Sequence, residues 1–250
     1  MNNKNILITG LPGVGKTTLV KKFVEELKQF HPVGFYTEEI REEGTRKGFE
    51  LISLDGRKGL LSHTDIQGPH RVGKYKVDVK GFEAFLGSIP LLTPSTRLVI
   101  IDEIGKMECF SERFKEYLIE CLNSEKWVLA TVALKGGGFM DEVKRRHDIK
   151  LFEITQWNRD ALLLDILSEV KNMSEEKVRV MAYSGHRGEE TPRALVLGGK
   201  RIEVVEIQES WIEEGIEDRT IKRFFKVKGN DRGIHKIFYD EKTAEWYYKR

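Results

Sequence analysis

The chain has 250 residues, of which 40% are hydrophobic, 33% charged and 10% aromatic. This composition indicates a folded protein with one large domain or two smaller ones, and it excludes a disordered chain. The net charge is +2 and charges of both signs are mixed along the sequence, so no segment is typical of a nucleic-acid-binding arm. The sequence contains neither a membrane-spanning run nor a secretory signal, and we expect a cytoplasmic protein without a membrane partner.

The first two thirds of the chain alternate between strand and helix patterns. The short, largely apolar strand from Asn5 to Thr9 leads through a glycine-rich turn into an amphipathic helix. The segments 33–40 and 49–54 predict an antiparallel hairpin. Such alternation favours a largely parallel sheet with helices on both faces. The other predicted strands of this part are 75–79, 98–102, 127–134 and 151–155.

The pattern changes after Val170, because a polar segment is followed by short strands separated by glycine-containing turns. We therefore predict a boundary near residue 174, with domains 1–173 and 174–250. The second domain is expected to be a small β barrel or a strongly bent sheet. Its predicted strands are 178–183, 194–197, 202–207, 221–227, 234–239 and 246–248.

The turn after the first strand reads GLPGVGKTT, which fits the phosphate-loop pattern G-x-x-x-x-G-K-[ST] in the expected strand and helix context. Backbone N–H groups of such a loop surround phosphate oxygens. Lys16 is expected to bridge the β- and γ-phosphates, and Thr17 to bind Mg²⁺. The predicted phosphate-binding residues are Gly10, Leu11, Pro12, Gly13, Val14, Gly15, Lys16, Thr17 and Thr18.

The segment LVIIDEIGKME ends a buried strand with two adjacent carboxylates, Asp102 and Glu103. We expect this strand to neighbour the first one, so that Asp102 holds Mg²⁺ through a water molecule and Glu103 orients and deprotonates the attacking water. A general base beside the metal activates water rather than an acceptor hydroxyl bound further out, so this arrangement favours hydrolysis over phosphoryl transfer. The alternatives are a turn or helix cap for Asp102, and an ion pair with Lys106 for Glu103.

These motifs, together with GFYTEEIREEGTRKGFELISLDGRKGLLSH, VGKYKVDVKGFE and EITQWNRD, resemble the THEP-type nucleoside-triphosphatases over about residues 4 to 170. The resemblance implies an α/β P-loop fold, RecA-like or nucleotide-kinase-like, with an antiparallel hairpin. It also implies slow, Mg²⁺-dependent hydrolysis of several nucleoside triphosphates, including ATP and GTP, to diphosphate and phosphate. The loop after Leu134, KGGGF, is more glycine-rich than the family pattern, so no role is transferred to Lys135.

The resemblance also draws attention to Arg41 and Arg46 in the predicted hairpin. Either arginine could neutralise charge on the γ-phosphate. The alternative is a solvated hairpin tip. Arg145 and Arg146 are rival candidates.

The segment TQWNRD follows the last strand of the sheet, where a nucleobase could lie. Trp157 could stack on the base, and Asn158 or Arg159 could contact its edge. In the alternative interpretation, Asn158 is a helix N-cap and Trp157 belongs to the core.

The leading functional hypothesis is a nucleoside-triphosphatase with nucleoside triphosphates as substrates. The alternatives are a P-loop kinase acting on a small molecule or a nucleic-acid end, and a nucleotide-gated module whose second domain binds RNA or a protein. That second domain weakly resembles small bacterial β domains of unassigned function, and its aromatic residues are expected to form its core.

Overall fold

The computed structural model describes residues 4–173, 175–184, 190–215 and 219–249. The chain divides into two compact units, Met1–Ser168 and Glu169–Arg250. This division lies a few residues before the predicted boundary near residue 174. That the two parts fold separately stays a prediction.

The first unit is built on a nine-stranded sheet. Its strands are β1 (Asn5–Gly10), β2 (Val33–Glu42), β3 (Thr45–Ser53), β4 (Lys58–His63), β5 (Arg71–Val72), β6 (Tyr75–Val77), β7 (Leu98–Ile104), β8 (Trp127–Ala133) and β9 (Ile149–Glu153). The helices are α1 (Lys16–Glu26), α2 (Val79–Ser88), α3 (Glu112–Asn123), α4 (Phe139–Lys144) and α5 (Arg159–Met173), the last of which runs past Ser168.

The strands follow the order β5-β6-β4-β3-β2-β7-β8-β1-β9. Neighbours from β2 to β9 are parallel, and neighbours from β5 to β2 are antiparallel. The predicted parallel sheet with an attached antiparallel hairpin is therefore confirmed. The hairpin continues into β4, β5 and β6, and the sequence pattern had not predicted β4 or β5.

One expectation about strand order is wrong. β7 does not neighbour β1, because β8 lies between them and pairs in parallel with both. Strand order depends on the crossover connections, whereas the apolar patterns of β7 and β8 report only that both strands are buried. Parallel strands end at the same edge of a sheet, so the carboxyl end of β7 still lies near that of β1.

The core of the first unit explains why the sheet holds its shape. Every residue of β1 is buried, and successive side chains point to opposite faces, so both faces of the sheet are covered. On one face Phe35, Phe82 and Phe114 pack together with ring centroids 5.5 to 6.4 Å apart. Each of these three rings is at most 1% exposed, and full burial of one such side chain stabilises the fold by about 1.5 to 3 kcal/mol.

The second unit is a seven-stranded antiparallel sheet in the order β10-β16-β15-β14-β13-β12-β11. Its strands are β10 (Glu175–Lys177), β11 (Arg179–Ser184), β12 (Glu190–Leu197), β13 (Lys200–Glu214), β14 (Ile221–Gly229), β15 (Ile234–Asp240) and β16 (Glu245–Lys249). Strands β10 and β11 lie at opposite edges of the sheet, yet only Val178 separates them in the chain, so the sheet is strongly bent. The predicted all-β second part is confirmed.

Within the described residues, the long strand β13 has a neighbouring strand on only one side beyond Glu203. The hydrogen-bonded ladder between β13 and β12 ends at Glu203. From Val204 to Glu214, β14 is the only described strand that pairs with β13. The register between β13 and β14 shifts twice, near Val204 and near Ile207. The side chains of this free edge are mostly exposed and include four glutamates, Glu206, Glu209, Glu213 and Glu214.

Among the described residues, no helix is long and apolar enough to cross a membrane.

Candidate active site

The loop between β1 and α1 has the backbone of an anion-binding turn. Gly13 and Gly15 have φ values of 76° and 106°, which are left-handed conformations that other residues rarely adopt. No side chain caps the start of α1 at Gly15, so its first N–H groups stay available to a ligand. A Cβ on Gly10 would lie 2.6 Å from the carbonyl oxygen of Ile154, so this position also requires glycine.

Lys16 is the first residue of α1 and is 8% exposed. Its Nζ donates to the carbonyl oxygen of Gly10 at 3.2 Å and lies 3.6 Å from Oε2 of Glu103. The phosphate-loop lysine and the second carboxylate therefore form an ion pair. The alternative partner of Glu103 considered from the sequence, Lys106, is not the residue found beside it.

A bulge explains how adjacent carboxylates serve one site. Between the pairs Ile101↔Ala130 and Ile104↔Val132, β7 contains one residue more than β8. Such an extra residue re-aims side chains near the end of a strand. Here Asp102 is 1% exposed, whereas Glu103 reaches Lys16 with a side chain that is 33% exposed.

Asp102 has one satisfied oxygen and one unsatisfied oxygen. Its Oδ1 accepts a hydrogen bond from the Thr131 hydroxyl at 2.5 Å, and among the described residues no hydrogen-bond donor meets its Oδ2. Burial raises the pKa of Asp102, while the hydroxyls of Thr131 and Thr17 and the charge of Lys16 lower it. A buried carboxylate oxygen without a donor is a fitting ligand for a divalent cation.

The described residues contain no cluster of three or more His, Cys, Asp or Glu side chains that could hold a metal ion alone. Thr17 and Asp102 supply two oxygen ligands, so a cation here would take its remaining ligands from phosphate oxygens and water. This is how Mg²⁺ is usually held beside nucleotides. The residues present thus fit the expected Mg²⁺.

Glu108 is a buried acid that the sequence analysis assigned no role. It is 5% exposed, and its Oε2 accepts the N–H of Gly105 at 3.1 Å. Burial, together with the charges of Glu103 and Asp102, raises the pKa of Glu108 to about 8. A neutral Glu108 therefore closes the turn that follows the carboxylate pair. Glu108 is visible in the sequence as a third acidic residue of the motif LVIIDEIGKME, but the sequence does not indicate that its side chain is buried.

The loop opens into a cleft of about 900 Å³, which is bounded on the far side by the β2–β3 hairpin. Arg46 lines this cleft, and so do Lys21 and Lys135. Arg41 does not line it and instead bonds to Glu39 and to the carbonyl oxygen of Gly44. Other lining residues are Gly10, Leu11, Pro12, Gly13, Gly15, Lys16, Thr17, Thr18, Thr37, Glu38, Glu39, Phe49, Glu103, Ala133 and Leu134.

The rival arginines lie outside the lining of this cleft. Arg146 is paired with Asp148 at 2.7 Å and also bonds to Asn123. Arg145 is the C-cap of α4. Neither residue is brought to the phosphate loop.

The segment before α5 lies against the phosphate loop. A Cβ on Gly15 would meet Cδ of Arg159 at 3.4 Å, so the Arg159 stem lies beside the loop. Trp157 is 94% exposed, and the expectation that it could belong to the core is therefore wrong. The Asn158 amide accepts from Thr155 N and donates to the carbonyl oxygen of Glu153, which leaves it engaged in fixing the turn.

Comparison with known proteins extends these observations. A family model described as NTPase matches residues 5–167. Nucleoside-triphosphatase THEP1 of Thermotoga sp. (strain RQ2) is 47% identical over 173 residues, which is 69% of this chain and 98% of that protein. The human cancer-related nucleoside-triphosphatase is 39% identical over 187 residues, which covers 68% of this chain and 97% of that protein.

Solved structures agree with the sequence matches. The crystal structure of THEP1 from Aquifex aeolicus superposes with a TM-score of 0.58 at 38% identity, covering 67% of this chain and 99% of that one. The solution structure of the human protein gives a TM-score of 0.59 at 38% identity. From the family model and these relatives, together with the phosphate loop and its carboxylate pair, we conclude that the chain belongs to the NTPase family, as a THEP-type nucleoside-triphosphatase.

Proposed function

We propose that this chain hydrolyses nucleoside triphosphates to nucleoside diphosphates and phosphate with the help of Mg²⁺. The observation that carries the proposal is the meeting of Lys16, Glu103 and buried Asp102 at one glycine-rich loop. The loop N–H groups bind the phosphate chain, and Thr17 with Asp102 holds the metal. When bound, Mg²⁺ neutralises charge on the phosphate oxygens.

Glu103 acts as the base in this proposal. Its carboxylate is paired with Lys16. Because a triphosphate attracts the same lysine, substrate binding draws Lys16 away and leaves Glu103 to accept a proton from water. Burial raises the pKa of Glu103 and Lys16 opposes that effect, so loss of the lysine makes the carboxylate a stronger base.

Arg46 supplies positive charge from the hairpin side of the cleft. Of the two hairpin arginines, it is the one that lines the cleft. An arginine at the γ-phosphate contributes roughly 10³- to 10⁵-fold in rate in other phosphoryl-transfer enzymes. A contribution from Arg41 stays a prediction, since its side chain bonds to Glu39 and to Gly44 instead.

Base recognition is assigned to the turn before α5. Trp157 offers an exposed ring for stacking, and stacking tolerates every base. Arg159 follows Trp157 by two residues in the sequence and lies beside the phosphate loop in the fold. This arrangement supports broad base specificity. Contact of Asn158 with the base would require its amide to leave the bonds that fix the turn.

Product analysis tests the proposal. Purified chain is incubated with each of the four common nucleoside triphosphates, with and without Mg²⁺, and diphosphate and phosphate are measured. We expect Mg²⁺-dependent release from all four, abolished in Lys16→Ala and unchanged in Lys28→Ala, where an exposed lysine is removed. Wild-type turnover in Lys16→Ala would contradict the site.

Phosphoryl transfer to an acceptor is a second candidate, favoured by the size of the cleft. A volume of about 900 Å³ extends beyond the phosphate loop to Thr37, Glu39 and Phe49, which is more room than an attacking water needs. Repeating the assay with γ-labelled triphosphate and a panel of small-molecule and nucleic-acid acceptors distinguishes the two. Label in an acceptor supports transfer, and label in phosphate alone supports hydrolysis.

A further inference from the structure

Arg46 is held on three sides, by Glu39 and Phe49 of the hairpin and by Tyr75 of β6, which β4 separates from the hairpin. Its Nε donates to the hydroxyl of Tyr75 at 2.8 Å, and its Nη1 donates to Oε1 of Glu39 at 2.7 Å. The guanidinium lies 5.2 Å from the ring centroid of Phe49 and 5.5 Å from that of Tyr75. An exposed arginine of a hairpin would otherwise sample many rotamers.

Tyr75 is well placed to act on Arg46 because it is itself fixed. It lies on β6, is 8% exposed and packs edge-to-face against Phe49 at 5.5 Å. Its hydroxyl accepts from the arginine side chain and donates to the carbonyl oxygen of Arg46 at 3.5 Å. One phenol therefore contacts both the backbone and the side chain of the same arginine.

Tyr75, Glu39 and Phe49, which we call the clamp, leave part of the Arg46 guanidinium available. Arginine has five N–H donors, of which Tyr75 and Glu39 take one each. Within the described part of the chain no partner takes the second Nη1 donor or the two on Nη2. Since Arg46 lines the cleft, these donors are free for an anion there.

The hairpin is also tied to the helix of the phosphate loop. Lys21 of α1 pairs with Glu38 of β2, and its Nζ lies 4.7 Å from the ring centroid of Tyr36. The clamp around Arg46 and the phosphate loop thus belong to connected elements of one unit.

We propose that Tyr75 is a positioning residue that holds Arg46 in the orientation needed at the γ-phosphate. The inference rests on the proposed function, in which Arg46 neutralises charge that develops during hydrolysis. A prepositioned donor costs no reorganisation in the transition state, so loss of positioning lowers kcat more than it raises KM.

A double-mutant cycle with Tyr75→Phe and Arg46→Ala tests the inference. Tyr75→Phe removes one hydroxyl and keeps the ring that packs on Phe49, so the fold is retained, as the melting temperature will confirm. We expect kcat to fall about 10-fold or more with KM within about 2-fold. In the Arg46→Ala background the same change is expected to have no further effect on kcat.

The chain offers a matched control. On α3 the hydroxyl of Tyr117 accepts from Arg113 at 2.7 Å, and that guanidinium lies 5.2 Å from the ring centroid. Neither residue lines the cleft. Tyr117→Phe therefore removes the same kind of contact and is expected to leave kcat unchanged.

The outcomes separate the inference from the function on which it rests. If Arg46→Ala lowers kcat but Tyr75→Phe does not, or if the two effects add, the positioning role of Tyr75 is overturned while the role of Arg46 stands. If Arg46→Ala hydrolyses at the wild-type rate, the role of Arg46 fails and that of Tyr75 fails with it.

Discussion

At the scale of single residues, the ion pair between Lys16 and Glu103 is the feature that links binding to chemistry. Two groups with different proposed tasks lie 3.6 Å apart and neutralise each other. A triphosphate must compete with Glu103 for the lysine. We therefore predict that the carboxylate weakens substrate binding, in addition to its proposed role as the base for hydrolysis.

Glu103→Gln separates these two effects. The amide keeps the shape of the side chain but carries no charge to hold Lys16, so we predict triphosphate affinity at least equal to that of the wild type. Hydrolysis is expected to fall by about 10²-fold or more, as is typical for loss of a general base. Binding is measured by calorimetry with a non-hydrolysable analogue and turnover by phosphate release.

The control for this change is Glu116→Gln, which alters an exposed glutamate of α3. It is expected to leave both quantities unchanged. A Glu103→Gln protein that turns over normally would show that another group orients the water.

Glu108 makes stability depend on pH. Its pKa is about 8 in the folded protein and near 4.5 in the unfolded chain, so between these values the folded protein binds more protons. The free energy of unfolding therefore falls as pH rises through this window, by about 4 to 5 kcal/mol in all. Glu108→Gln cannot ionise and is predicted to lose this dependence.

Urea unfolding at pH 5 and at pH 8.5 measures this difference. Relative to wild type, Glu108→Gln should gain stability between the two pH values, whereas Glu116→Gln should not. Parallel pH profiles of wild type and Glu108→Gln would mean that Glu108 stays charged in the fold.

At the scale of elements, the junction of β2 with β7 joins the hairpin to the parallel half of the sheet. Gly34 pairs with Ile100 there and has a φ of 149°. A Cβ on Gly34 would lie 1.7 Å from the carbonyl oxygen of Ile100. The backbones of the two strands meet so closely that no side chain fits between them.

Gly34→Ala is therefore predicted to separate β2 from β7 and to destabilise the first unit by more than about 3 kcal/mol. Gly56→Ala is the matched control, since Gly56 has a φ of 92° but open space around its Cα. It should cost only the backbone strain, about 1 to 2 kcal/mol. Urea unfolding compares them, and equal losses would contradict the steric explanation.

The elements that the sequence predicted well are those whose signal is local. The phosphate loop and the β2–β3 hairpin each depend on residues close in sequence. The position of β8 between β7 and β1 and the bond from Thr131 to Asp102 depend on strand order. The same holds for Tyr75, which lies 29 residues from the arginine that it contacts. Such long-range contacts leave no periodic pattern in the chain.

At the scale of the whole molecule, the proposed catalytic residues all belong to the first unit. The phosphate loop, the carboxylate pair and Arg46 lie before Ser168, and the second unit has its own apolar cluster. The family model likewise ends at residue 167. The division of labour between the units can therefore be tested by separating them.

We predict that a fragment of residues 1–173, which keeps α5 whole, stays folded and retains most of the hydrolysis. The fragment 174–250 is expected to fold and to hydrolyse nothing. Circular dichroism and phosphate release on both purified fragments check this. A well-folded first fragment without activity would show that the second unit completes the active site.

The free edge of β13 has a consequence for how copies of this chain behave in concentrated solution. Unpaired strand edges invite aggregation, because a second chain can add its own strand to the exposed N–H and C=O groups. At this edge the register places Glu206, Glu209 and Glu213 opposite Lys228, Lys226 and Lys222 of β14, and Lys226 pairs with Glu209 at 2.8 Å, so the acidic side chains face basic ones. The two register shifts add a local twist that makes the edge a poor template. We therefore expect the irregular backbone of β13, more than its charge or the net charge of +2, to limit edge-to-edge pairing between copies of this chain.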